Sequence, residues 1–143
     1  MKLVAIGLSL ALAACGAQQT TETLADSVRI YNDGVRWQRF EIAASRLPHE
    51  EQSRFVDDMD ARAKDVEITD YEVVRLDTRG DREARVQVKM TWYLKKQQIV
   101  HETHALQAWE RHGKQWFLVD EHFMRGDQMP GLVDRETTSA DAH

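Results

Sequence analysis

The chain contains one cysteine, Cys15. A lone cysteine makes no disulfide within the chain, and it leaves no set of thiolates for a structural zinc site. Proline is almost absent, at Pro48 and Pro130 only, and no internal repeat, low-complexity tract or second domain boundary interrupts the sequence. Basic charge is in deficit, with 19 Lys and Arg against 24 Asp and Glu and a net charge of −5. That balance argues against nucleic acid as a partner and against electrostatic docking on anionic lipid. No Ser-His-Asp arrangement, glycine-rich phosphate loop or cofactor fingerprint is found, so no cofactor is implied. A long hydrophobic run is also missing. The apolar stretch from Leu3 to Ala14 falls short of the roughly 20 residues that span a bilayer.

What is there begins with that stretch. Met1-Lys2, an apolar core and small residues before Cys15 are the parts of a secretory signal. The other reading, a short buried helix, is not continued by any pattern after Cys15. Leu12-Ala13-Ala14-Cys15 resembles the lipobox of bacterial lipoproteins with no departure, over the first sixteen residues. The resemblance implies that Cys15 is lipidated with a diacylglycerol, that residues 1–14 are removed, and that the new amine is acylated too. Two or three acyl chains, at about 0.8 kcal/mol per buried methylene, make a lasting anchor where one chain does not. Gly16, where an Asp would imply retention in the inner membrane, implies the outer membrane facing the periplasm. The expected organisation is a signal peptide at 1–14, a lipidated Cys15 with a tether to 22, one α+β domain at 23–125, and a flexible tail at 126–143. Extended, the tether reaches about 25 Å, which holds the domain close to the membrane.

Leu24, Val28, Tyr31 and Val35 fall at helical spacing and predict a helix over about Thr23 to Trp37, capped by Thr21 or Thr23 and bent at Gly34. Phe40 to Leu47 is a second, shorter helix. Pro48 ends it and opens a third, with Glu50 and Glu51 at its positive end and Phe55, Met59 and Ala63 on its buried side. After Asp65 the period changes. Val66 to Asp77 is rich in β-branched residues, and Ala84, Val86, Val88, Met90, Trp92 and Leu94 alternate with polar residues. Ile99 to Glu110 and Lys114 to Phe123 are the third and fourth strands, with turns at Thr78–Asp81, Lys95–Gln98 and His112-Gly113.

Three helices followed by four antiparallel strands is an α+β order, with N-terminal helices packed against a curved, cone-like sheet. The long first helix with Tyr31 and Trp37, the Phe40–Leu47 helix, and the Trp109, Gly113, Trp116 hairpin with Leu118 carry a resemblance over Leu24 to Phe123. It is to the nuclear transport factor 2-like (cystatin-like cone) superfamily, shared with scytalone dehydratase and ketosteroid isomerase. The catalytic residues of that superfamily have no counterparts that can be placed here residue by residue.

With two-residue loops at Lys96-Gln97 and His112-Gly113, Trp92 faces His101, Met90 faces Thr103, Val88 faces Ala105 and Ala84 faces Trp109. Across the next pair Trp109 faces Trp116, Ala105 faces Asp120 and Thr103 faces His122. His101, Asp120 and His122 then gather at the mouth of the cone as candidates for acid–base work, with Trp92, Thr103 and Trp116 lining a ligand site. Solvated strand ends account for the same residues more simply, and one extra loop residue would turn a strand over. His101 and His104 point to opposite faces and cannot share a metal. Asp57, Asp58 and Asp60 lack the glycine and closing Glu of a calcium loop, so no metal site is expected. The other sheet face would collect Tyr93, Val100, Leu106, Ala108, Phe117, Val119 and Phe123, a surface for a protein partner or a homodimer. The reading favours a membrane-anchored, non-catalytic protein-binding or structural domain. A small-ligand binder or a dehydratase- or isomerase-like cone enzyme is the alternative.

Overall fold

The structure is a computed structural model and describes residues 22–132. The lipobox, most of the tether and the last eleven residues lie outside the described part. Three helices pack against one face of an open four-stranded antiparallel sheet. The helices are α1 (Leu24–Arg36), α2 (Phe40–Ala44) and α3 (His49–Arg62). The strands are β1 (Val66–Arg79), β2 (Glu83–Leu94), β3 (Val100–His112) and β4 (Gln115–Gly126), paired in chain order. Among the described residues no helix is long and apolar enough to cross a membrane.

Helix α1 starts where Thr23 accepts a hydrogen bond from the Asp26 amide at 3.1 Å, which makes Thr23 rather than Thr21 the cap. Its buried stripe is Leu24, Val28, Tyr31 and Val35. The helix runs through Gly34, whose missing side chain is where α2 packs. A Cβ there would lie 2.9 Å from the Ala43 Cβ. Helix α3 follows Pro48 and lays Met59, with Phe55 and Val56, against the core.

The β2–β3 ladder has the expected register, with Trp92 opposite His101, Met90 opposite Thr103, Val88 opposite Ala105 and Ala84 opposite Trp109. The β3–β4 ladder does not. The turn lies at Gly113-Lys114, since His112 pairs with Gln115, and Gly113 takes the left-handed φ of +65° that a tight hairpin asks for. Trp116 therefore faces Arg111, and Trp109 faces Leu118. Two further register shifts follow, between Ala108 and Trp109 and between His104 and Ala105. Each bulge adds one residue to β4 and bends it. After the first bulge the alternation of β4 is reversed. Glu121 and Phe123 turn to the helices, opposite Gln107 and Ala105, while Asp120 and His122 turn outward, opposite Ala108 and Leu106.

The core lies between the helices and the inner sheet face, around Tyr31, Val86, Val88, Trp92 and Trp109. The chain beyond β4 also belongs to it. Met129 is 1 % exposed and Leu132 5 %, so the segment after Gly126 folds back over the core as far as Leu132, where a mobile tail was expected. Outside, the sheet is more polar than its alternation promised. Phe123 has left that face, and Asp120 and His122 have joined it.

Candidate functional site

The inner face holds a chain of polar groups among its apolar residues. Gln107 projects inward from β3 between Ala105 and Trp109, and is fully buried. Its Nε2 donates to Glu121 Oε2 at 2.7 Å and to Asn32 Oδ1 at 3.0 Å, and its Oε1 accepts from Trp109 Nε1 at 3.2 Å. Asn32, buried on α1, donates to the Val28 carbonyl at 2.8 Å. The Tyr31 hydroxyl donates to Glu121 Oε1 at 3.1 Å. Tyr31 itself is packed edge-on against Trp109, with ring centroids 6.1 Å apart.

Burial pushes the Glu121 carboxyl above its ordinary value, against the hydrogen bonds from Gln107 and Tyr31 and the field of Arg62, which favour the ionised form. Burial also raises the Tyr31 hydroxyl well above its ordinary value, and the neighbouring Glu121 adds to the rise. Glu121 and Tyr31 both line a pocket of about 250 Å³ between α3 and β4. None of the hydrogen bonds to Glu121 comes from a histidine, serine or cysteine. The network thus holds a carboxyl group in place but contains no base–nucleophile pair.

A second cluster sits at the far end of the inner face. The His101 ring stacks on Trp92 with centroids 4.5 Å apart and planes at 23°. Trp92 Nε1 donates to Thr103 Oγ1 at 2.8 Å, and that hydroxyl donates onward to the Asp127 carbonyl. His101 Nδ1 lies 3.0 Å from Asp127 Oδ2. Trp92, His101 and Thr103 are therefore together, but the acid beside them is Asp127.

Asp120 and His122 pair with each other at 3.0 Å on the opposite side of the sheet. The expected triad of His101, Asp120 and His122 does not converge, because the β4 bulge turns its second and third members over. Trp116 is buried near the β3–β4 turn, away from His101. His104 faces outward against Gln87 at 2.9 Å, and burial together with Arg125 and Lys89 holds its imidazole below the usual value. Among the described residues no three His, Cys, Asp or Glu side chains are grouped to hold a metal ion.

Sequence reasoning missed Glu121, Gln107 and Asn32. Gln107 was legible, as the one long polar residue in the inward series Thr103, Ala105, Gln107, Trp109. Glu121 was not, because its face depends on a bulge that no residue pattern in β4 announces.

No family model matches the chain, and no curated protein matches it. Two solved structures are similar in fold. One is the solution structure of a SEC-C motif containing protein from Rhodopseudomonas palustris, with a TM-score of 0.62 at 10% identity, over 75% of this chain and 83% of that one. The other is the crystal structure of a domain of unknown function with a cystatin-like fold from Nostoc punctiforme. Its TM-score is 0.57 at 15% identity, over 83% of this chain and 86% of that one. At these identities the likeness is one of fold alone, and it agrees with the cone-like architecture.

Proposed function

We propose that this chain is a lipid-anchored envelope protein, held to the outer membrane through Cys15, whose globular part is a non-catalytic module that binds another protein. The observation that carries the protein-binding part is the edge of β1, which pairs only with β2 among the described residues. Helix α1 touches this strand through Arg36 Nε on the Thr69 carbonyl at 2.8 Å and through Tyr71 on Asp33 at 2.7 Å. Beyond those contacts every residue from Glu72 to Arg79 is exposed, Val73, Val74 and Leu76 among them. Proteins usually shield such an edge, and an open one with apolar side chains suits the addition of a partner strand. The other edge, β4, is partly covered, with its Leu118 amide bonded to the Arg46 carbonyl at 2.7 Å. The outer sheet face, a surface for a protein partner or a homodimer by its sequence, is a weaker candidate because Asp120, His122 and Arg125 populate it.

The enzyme alternative is built on His101, Asp120 and His122, which do not share a face of the sheet. The lipid anchor rests on the sequence resemblance alone.

Two measurements test the reading. Mass spectrometry of the membrane-extracted protein is expected to find a chain beginning at an acylated Cys15, and Cys15→Ser is expected to release it to the soluble fraction. A photo-crosslinking residue at Val74 is expected to trap one discrete partner in cells, while the same residue at Asp57 on α3 traps none. Equal crosslinking at both positions, or none at Val74, overturns the choice of edge.

A further inference from the structure

The pocket between α3 and β4 holds an unusual acid. Glu121 is turned inward by the β4 bulge, and both its oxygens accept hydrogen bonds from neutral donors. Among the described residues no basic side chain forms an ion pair with it. Arg62 lies near enough to act through space, but its guanidinium donates to the Met129 sulfur at 3.6 Å. A desolvated carboxylate without a counter-charge is costly, and each of its oxygens still has a lone pair to offer.

The space beside Glu121 is built for more than water. Phe55, Leu118 and Leu132 form apolar walls, and the Phe55 ring lies 5.9 Å from that of Tyr31. Around the lining the acids Glu51, Asp58 and Glu121 stand against the bases Arg54 and Arg62, while the Asp120 carboxylate is turned outward to His122. This excess repels a carboxylate or phosphate ligand and attracts a cation. At about 250 Å³ the pocket is just under the range of roughly 300–1,000 Å³ typical of drug-sized ligands.

We propose that this pocket binds a small organic ammonium compound, with its apolar body against Phe55 and Leu118 and its charged nitrogen against Glu121. The cation supplies the direct ion-pair partner that Glu121 does not have among the described residues. The aromatic rings of Phe55 and Tyr31 add a face that favours a cation over a neutral amide. The inference is independent of the partner edge on β1 and of the anchor, so either can fail without the other.

The test uses the full chain in non-ionic detergent and three probes of similar shape: 2-phenylethylammonium, phenylacetate and 2-phenylethanol. Isothermal titration is expected to show saturable binding of the ammonium, with phenylacetate weaker by about tenfold or more. Glu121→Gln keeps the shape of the side chain and is expected to bind the ammonium about tenfold more weakly. Asp58→Asn is expected to weaken it by less, through the field alone. Amide and side-chain NMR shifts on adding the ammonium are expected at Tyr31, Phe55 and Glu121, which locates the site without any variant. No saturable binding of the ammonium, equal binding of all three probes, or undiminished binding by Glu121→Gln would each overturn the proposal.

Discussion

Gly34 and Ala43 touch. A Cβ placed on Gly34 would lie 2.9 Å from both the Cβ and the backbone nitrogen of Ala43, and Ala43 is fully buried. The absent side chain of Gly34 is the slot in which α2 lies. The turn between the helices depends on the same closeness, since the Arg39 amide donates to the Gly34 carbonyl at 2.7 Å. Two effects of Gly34→Ala therefore oppose each other. Helix propensity alone would stabilise α1 by about 1 kcal/mol. Overpacking against a backbone atom costs about 1–3 kcal/mol. The clash involves backbone, which cannot rotate away, so the expected sign is destabilising. Urea denaturation at fixed pH checks it, and a midpoint higher than wild type would show that α2 is free to move off.

Glu121 gives a pH dependence of definite sign. Its folded-state carboxyl titrates above the ordinary glutamate value, chiefly through burial. As pH rises, the unfolded chain gives up this proton first. Over that window the folded state binds more protons, and the slope of stability with pH is negative for this group. Its contribution is fully present below the unfolded value and is lost as pH rises through the folded one. Glu121→Gln removes the titration and keeps an acceptor for Gln107. The variant is expected to gain stability relative to wild type between acid and neutral pH, with the gap widening across the window. A gap that narrows toward neutral pH would mean that ionised Glu121 is stabilised in the fold.

The same glutamate shows where the sequence stops being informative. Helices α1 to α3 and all four strands were legible, because apolar spacing and turn residues act locally. The β2–β3 register was legible too, since no bulge interrupts that ladder, although its pairing stops at Tyr93 and Val100 and the connection is longer than two residues. On β4 three local events intervened: a turn displaced by one residue and two bulges. The displaced turn moves each partner by two positions and keeps the faces, whereas each bulge moves it by one and turns them over; none carries a compositional mark. The alternation thus puts Trp92, His101 and Thr103 on one face, as the ladder does, but puts Asp120 and His122 on the face that Glu121 and Phe123 occupy. The polar network linking Asn32, Gln107 and Glu121 joins α1 to β3 and β4, and such long-range pairing leaves no trace in local pattern.

Thr103 is the hinge of the second cluster. Its hydroxyl accepts from Trp92 Nε1 at 2.8 Å and donates to the Asp127 carbonyl, and the side chain is fully buried. Thr103→Val keeps the volume and removes both roles. The indole N–H is then left buried without an acceptor, at a cost of about 1–3 kcal/mol. Chemical denaturation is expected to show that loss. Hydrogen exchange is expected to speed up at the Asp127 amide, which donates to the Glu102 carbonyl at 2.9 Å. An unchanged exchange rate there would mean that the Thr103 hydroxyl does not hold the segment down.

Met129 decides whether the segment after β4 is part of the fold. At 1 % exposure it is among the largest fully buried side chains, and the Arg62 guanidinium donates to its sulfur. Gly131 lies against Arg62 on the same side, and Leu132 closes the core beside it. A buried methionine cut to alanine loses transfer energy and leaves a cavity, together about 2–5 kcal/mol. A side chain on a loose tail would lose almost nothing, within about 0.5 kcal/mol. Met129→Ala is therefore expected to lower the unfolding free energy by at least about 2 kcal/mol. Truncation after Gly126 is expected to cost more, because it removes Leu132 and the Asp127 contacts as well. Denaturation of the three proteins side by side makes the distinction. If all three melted together, the segment from Asp127 to Leu132 would have to be regarded as resting on the core rather than completing it.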